Sequence, residues 1–223
     1  MKRIIFLFAL LLNVIVVSAQ EEYFTCPEYK ADIQDYNKTT KGSNKKRCQM
    51  LKDLNHMNDD GEIQYQYVFK AKDTLNREQL MNIIRSWAKT NYNNYEKSLV
   101  SETDSTIEFK GLLLNIGQVM GAFKTAIVNA ESYVRIETKS NRIRVTATVR
   151  HYTLAGAGLS GVKSTVTLPR DVYPYTDSDN QSAYAQAYIN SHFALITNIG
   201  SIFLYLNKNY PNHSEKEKKN DDW

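Results

Sequence analysis

Ile63, Tyr65, Tyr67 and Phe69 occupy every second position, set among Gln64, Gln66 and Lys70. A period of two sends one side of a segment into a core and leaves the other to water, so this stretch predicts a half-buried strand. Farther along, the period changes. Leu80, Ile83, Ile84 and Trp87 follow the i, i+3, i+4, i+7 rule of an amphipathic helix. Asn76 can cap that helix, and Gln79 three residues on completes a capping box. Leu75 is placed to pack on Leu80 as a hydrophobic staple. Burying the four stripe residues is worth roughly 1.5–3 kcal/mol each. The pattern fades near residues 91–94.

A short strand is predicted at 98–103, then a turn at Asp104-Ser105, then a strand with Ile107 and Phe109 inward and Glu108 and Lys110 outward. Gly111, Gly117 and Gly121 interrupt the apolar stretch 111–130, which reads as a loop or short helix lying on the core. Residues 131–152 form a hairpin if the turn is Ser140-Asn141. Ile136 then faces Val145 and Val134 faces Ala147, while Glu137 faces Arg144 and Glu131 faces Arg150. Apolar meets apolar and opposite charges meet, which supports this register. A further strand is allowed at 164–168. Tyr184, Tyr188, Leu195, Ile199, Ile202 and Leu206 then recur at helical spacing, predicting a helix over about 180–207 that Pro211 ends. Its apolar part is interrupted by Thr197, Asn198, Gly200 and Ser201, which makes it too short to span a bilayer. The order of elements predicts an α+β fold, an antiparallel sheet with helices packed on one face.

The beginning of the chain changes where such a domain is expected to work. Lys2 and Arg3 precede an apolar run from Ile4 to Val17, broken only at Asn13, and Val17-Ser18-Ala19 supplies small residues before Gln20. This reads as a signal peptide, 1–19, cut between Ala19 and Gln20, with a periplasmic or secreted product. As a helix the apolar run would reach roughly 21 Å, short of the ~30 Å hydrocarbon core. The rival reading is an uncleaved anchor, but small residues stand where a stop-transfer segment would still be apolar. Removing the first 19 of 223 residues leaves 204 and lowers the net charge from +4 to +2, since Lys2 and Arg3 are lost. Near-neutrality gives no general reason to expect nucleic acid or an anionic membrane as partner, and no transmembrane segment is expected in the mature chain.

Residues 20–61 read as a polar, irregular N-terminal extension, with 38–47 free of apolar side chains. The domain proper is expected over 62–208, and 209–223 reads as a charged, disordered tail. In an oxidising compartment Cys26 and Cys48 can pair and staple the extension, with about 3 kcal/mol of stabilisation in the chain-entropy model; two free thiols is the other reading. A zinc site is not expected, because there is no Cys-x-x-Cys and no neighbouring histidine pair.

Several of these features together resemble the DUF4468 family. They are an exported chain with a signal ending at Ala19-Gln20, the Tyr/Phe-alternating strand 63–69, and Asn76-Arg77-Glu78-Gln79-Leu80 leading to Arg85-Ser86-Trp87-Ala88 on a helix, then a strand hairpin. The similarity covers about residues 63–152. It implies a TBP-like fold in an exported protein of Bacteroidetes. The family is itself without known function, so the resemblance carries over no site residue, and a fold's name does not imply its function.

No catalytic residue, cofactor or metal site is expected from the motifs. Gly156-Ala157-Gly158-Leu159-Ser160-Gly161 matches G-x-G-x-x-G, but the residues that follow read as extended. A dinucleotide site needs a helix there, its N-terminus toward the pyrophosphate. His56, His151, His192 and His213 form no metal-binding pair. His151 has inward parity and His192 lies on the last helix's stripe, so both read as hydrogen-bonded histidines at the core edge. The candidate binding residues are Tyr133, Arg135, Arg144 and Arg150, which share the outward face of the hairpin with Thr146 and Thr148. They form either a platform for a glycan, peptide or anionic polymer, or a solvated face whose charges Glu131 and Glu137 pair. The functional expectation is a non-enzymatic envelope domain binding a protein or envelope glycan, with no nucleic acid. The alternative is an envelope hydrolase, acting on glycan or peptide, whose carboxylates converge only in the fold.

Overall fold

Among the described residues seven strands pair antiparallel throughout, in the order Phe24–Thr25, Ile63–Ala71, Arg142–Gly158, Lys124–Lys139, Thr106–Met120 and Leu99–Glu102 across the sheet, with Gly161–Thr167 on Arg142–Gly158 beyond the end of Ile63–Ala71. The structure is a computed structural model, and it describes residues 22–120, 124–158, 161–172 and 181–220. The predicted leader and its cleavage site lie outside these. In chain order the elements are β1 (Phe24–Thr25), α1 (Pro27–Lys38), α2 (Asn44–Asp53), β2 (Ile63–Ala71), α3 (Arg77–Asn91), the single turn α4 (Tyr95–Ser98), β3 (Leu99–Glu102), β4 (Thr106–Met120), β5 (Lys124–Lys139), β6 (Arg142–Gly158), β7 (Gly161–Thr167), a 3₁₀ turn (Pro169–Val172) and α5 (Gln181–Asn220). The fold is α+β, with the helices on one face of the sheet.

The predicted strand at 63–69 and helix at 77–91 form as their patterns require. Ile63, Tyr65, Tyr67 and Phe69 are buried on the inner face, as are Leu80, Ile83, Ile84 and Trp87. Asn76 caps α3, its side chain accepting the Gln79 N–H at 3.1 Å. The second half of the expected capping box is absent. The Asn76 N–H instead donates to the Tyr210 hydroxyl at 2.7 Å, and Gln79 Oε1 is left buried with no hydrogen-bond partner.

The hairpin register holds for Ile136 with Val145, Val134 with Ala147 and Glu137 with Arg144. It fails at Glu131, which faces His151, because a bulge between Glu131 and Ser132 leaves Arg150 as the extra residue on β6. The bulge reverses inside and outside along β6. Ile143, Val145, Ala147 and Val149 are buried before it, Tyr152 and Leu154 after it. His151 therefore points outward, against the inward parity counted from Val149.

Three other expectations are corrected. Of residues 111–130, those described, 111–120 and 124–130, belong to the paired strands β4 and β5, not to a loop or helix. An irregularity between Leu113 and Gly117, with Asn115 at φ 55°, bends β4 under α5. Gly117 is required by that crossing: a β-carbon there would lie 2.9 Å from Ala183 C and Ala187 N, and closer still to the Ala183 carbonyl oxygen. Residues 20–61 are not irregular but carry α1 and α2, whose Tyr29, Tyr36, Cys48 and Leu51 belong to the core. The rings of Tyr29 meet those of Tyr67, Phe69 and Phe203, and Tyr36 meets Phe193 edge-on at 4.6 Å. A few large aromatic residues anchor an otherwise polar segment. The last helix does not stop at Pro211 but runs to Asn220. Over Gln181–Tyr210 it is long and apolar enough to cross a bilayer, so length does not exclude a span. Here Leu195, Ile196, Ile199, Ile202 and Leu206 are buried in the protein's own core.

The expected disulfide is not formed. The Cys26 thiol donates to Glu28 Oε2 at 3.4 Å, and the Cys48 thiol to the Ala185 carbonyl at 3.8 Å. The helices hold the two residues in separate buried sites, so pairing would require unpacking α2 from α5. Protein unfolded without reductant and treated with an alkylating reagent is expected to be labelled at both cysteines. An intact mass showing no addition would contradict this arrangement.

Candidate functional site

Among the described residues the helices lie on one side of the sheet and none covers the opposite face. Outward positions of β5 and β6 bring Tyr133, Arg135, Arg144 and Arg150 together, as their parity predicts, though Arg150 arrives through the bulge. The Arg150 guanidinium lies 3.7 Å from the centre of the Tyr133 ring, a cation–π stack. Its Nη2 reaches Glu108 Oε1 at 3.4 Å, and its Nε lies 3.9 Å from Glu62 Oε1. Arg135 sits between Glu108 (3.9 Å) and Glu137 (3.5 Å), and Arg144 lies 3.6 Å from Glu137. The Tyr133 hydroxyl donates to Glu131 Oε2 at 3.1 Å; Glu131 also pairs with Lys110 at 2.7 Å and lies 3.7 Å from His151 Nε2. The hydrogen bond from Lys110 holds the Glu131 carboxyl below its ordinary range despite some desolvation, and the same bond raises the Lys110 pKa.

Opposite charges thus alternate across the face. Within this lattice Glu62, Glu108, Glu131 and Glu137 answer Lys110, Arg135, Arg144 and Arg150, while exposed Lys70, Lys139 and Arg142 lie side by side at the strand ends of the same face. Such half-exposed pairs stabilise by ~0–1 kcal/mol each. Their effect is to hold the arginines and Tyr133 in fixed positions.

Farther along the same strands the face loses its charge. Leu112, Leu114, Met120 and Val166 are exposed, between 60% and 72%. Ile127, Thr153 and Ala155 share their outward parity. The local pattern hides this half, because Gly111, Gly117 and Gly121 read as interruptions of a strand. The outward alternation of Glu108, Lys110, Leu112 and Leu114 was the available signal.

The histidines split. His192 is fully buried, its Nδ1 2.7 Å from the Tyr65 hydroxyl, and Nε2 has no hydrogen-bond partner. Burial, reinforced by nearby His56, pushes its pKa down to about 3. His56 stacks on Tyr65 at 3.9 Å, and the Tyr67 hydroxyl donates to Asp32 at 2.7 Å. Tyr65 and His192 are enclosed in the core, whereas His56 and Asp32, 3.8 Å apart, are part-exposed at its edge. Gly156 and Gly158 end β6 and Gly161 begins β7, so the G-x-G-x-x-G segment links two strands and opens no helix. Among the described residues, no group of three or more His, Cys, Asp or Glu side chains could hold a metal ion.

The helical side carries two open grooves. One, of about 410 Å³, lies between α3 and α5 and is lined mainly by Asn and Gln side chains. The other, of about 420 Å³, lies between α3 and the end of β3 and holds the Arg85–Glu102 ion pair.

No family model matches the chain, and no curated protein matches it. A solved structure described as a TBP-like protein from Parabacteroides distasonis is similar over 69% of this chain and 96% of its own, at 18% identity and a TM-score of 0.46.

Proposed function

We propose that this chain is an exported, non-enzymatic envelope domain that binds a protein through the open face of its sheet. The observation that carries the reading is the make-up of that face: a charge-balanced lattice around Tyr133, Arg135, Arg144 and Arg150, continuous with exposed aliphatic side chains on the same strands. A protein surface offers both kinds of group at once. A polyanion would find the arginines around Tyr133 already paired with carboxylates and would make no use of Leu112, Leu114 and Met120, nor would a neutral glycan. Export belongs to the proposal and rests on the leader, 1–19, with the resemblance of residues 63–152 to DUF4468 beside it.

The test is capture from envelope extract by the purified protein and by two folded variants, checked by circular dichroism. One changes Arg135, Arg144 and Arg150 to Ala; the other changes Leu112 and Leu114 to Asp. A partner retained by the wild type and lost by either variant is the expected result. Equal retention by all three moves the binding site off the sheet, and capture of nothing removes the proposal. A mature chain beginning at Gln20, found by mass spectrometry of envelope material, is the matching expectation for export.

A further inference from the structure

We infer that the groove between α3 and α5 is a second binding site, separate from the sheet face, and that it takes a neutral, polyhydroxylated ligand of the oligosaccharide class. The groove is built by two helices far apart in sequence. Asn76, Gln79, Asn82 and Ser86 come from the cap and outer side of α3, Tyr205 and Asn209 from α5. Its volume of about 410 Å³ lies within the roughly 300–1,000 Å³ range of small-ligand sites.

The lining is chemically unusual for a surface between packed helices. It contains no Lys or Arg, and Glu78 is its one ionisable carboxylate. Its polar groups are carboxamides and hydroxyls, each able to offer a donor and an acceptor close together. The structure uses one side of several of them and leaves the other to the groove. Asn82 Oδ1 accepts from Arg85, leaving its NH₂ group. Asn209 donates its NH₂ to the Tyr205 carbonyl, leaving Oδ1. Asn76 Oδ1 is taken by the α3 cap, again leaving an NH₂ group.

Gln79 is the informative member. A capping-box glutamine normally returns its side-chain oxygen to the cap residue's N–H. Here the Tyr210 hydroxyl has taken that N–H, and Gln79 Oε1 is buried beside the groove with no partner. A buried acceptor without a donor carries an uncompensated desolvation penalty. That oxygen has no surface open to the groove as it stands, and a turn of the Gln79 side chain outward would bring it to a ligand hydroxyl that supplies the missing donor. Neighbouring carboxamide donors and acceptors match the vicinal hydroxyls of a sugar. Tyr205 and the edge of Ile83 provide the small apolar surface that a pyranose ring can cover. A phosphate or carboxylate would find no cation in the lining, the nearby Arg85 being engaged by Asn82 and Glu102, and an apolar peptide side chain would find little to bury against.

The experiment is an NMR titration of the purified protein with neutral tetrasaccharides of glucose, N-acetylglucosamine and mannose, with tetra-alanine as comparison. At least one sugar is expected to give saturable shifts confined to the amides of 76–86 and 205–209. Asn82→Ala is expected to weaken that binding by roughly tenfold, about the value of one good hydrogen bond. Gln79→Leu removes the orphan acceptor, so it is expected to abolish the sugar shifts while leaving the melting temperature unchanged or higher. That combination separates loss of the site from loss of the fold. No saturable shift with any tetrasaccharide would overturn the inference, as would shifts undiminished in both variants, or a response to tetra-alanine alone. The arginine and leucine variants of the sheet face are expected to bind the sugar as wild type does, so the two sites fail or succeed independently.

Discussion

Gly117→Ala is expected to lower stability by about 3 kcal/mol or more in urea unfolding, the range of a core clash that cannot relax. The added carbon would meet Ala183 and Ala187 of α5 at backbone atoms, which have no rotamer to change. The helix would have to lift from β4. Asn190, which donates to the Ile116 carbonyl at 2.7 Å, and Gln186, which accepts from the Gln118 N–H at 3.3 Å, would lift with it. These two side chains satisfy part of the backbone of β4 where β3 no longer pairs with it. Gly111→Ala is the control on the same strand. Its added carbon would meet the Ser132 Oγ at 3.0 Å and a Tyr92 ring carbon at 3.3 Å. Side chains can give way, so a cost below about 1 kcal/mol is expected. Equal losses in the two variants would mean that the helix does not press on Gly117 as described.

The second large effect is on pH. His192 is neutral in the folded protein because burial and His56 disfavour its charged form, whereas in the unfolded chain it titrates near its ordinary value of 6.5. The unfolded state therefore binds the proton first. The stabilisation is fully present above pH 6.5 and falls as pH drops toward about 3. The slope approaches about 1.4 kcal/mol per pH unit, so of order 3 kcal/mol is lost by pH 4. The groups around the ring bear on this slope. Tyr65 and Tyr188 pack against it. His56, its own pKa lowered mainly by burial and raised in part by Asp32, loses stability in the same direction. Urea unfolding between pH 7 and 4 is expected to show a steeper decline for wild type than for His192→Gln, which keeps a polar group near Tyr65 but does not titrate. Parallel curves would show that His192 is not held neutral by the fold.

Strands 63–71 and 131–149 were legible because each has one buried face, and nearest neighbours decide which residues take it. The Arg150 bulge also left a trace, two polar residues in a row between Val149 and Tyr152. What could not be read locally was decided from a distance. Gly117 looks like a strand breaker until α5 crosses it. Tyr29 and Tyr36 look stranded in a polar segment until Phe203 and Phe193 meet them. The same holds for the two binding surfaces. Outward parity placed Tyr133, Arg135 and Arg144 on one face, so that half was visible in the sequence. The groove joins Asn82 to Asn209 across most of the domain, and the orphan oxygen of Gln79 exists only because Tyr210 displaces it.

The short strand β1 is held at both ends of the chain's span. Phe24 pairs with Ala71 on β2, while its N–H donates to Asn207 Oδ1 at 2.8 Å. Phe24 thus cannot lock in place until Asn207 exists. The β5–β6 hairpin closes over a two-residue turn and needs no distant partner, so it is available to fold early, whereas joining residue 24 to residue 207 carries a large loop-closure cost. A chain emerging N-terminus first, from a ribosome or a translocation channel, must hold α1 and α2 open until α5 is released. That delay favours keeping the early segment polar: its soluble exterior protects a half-finished molecule for as long as its few aromatic anchors wait for their partners.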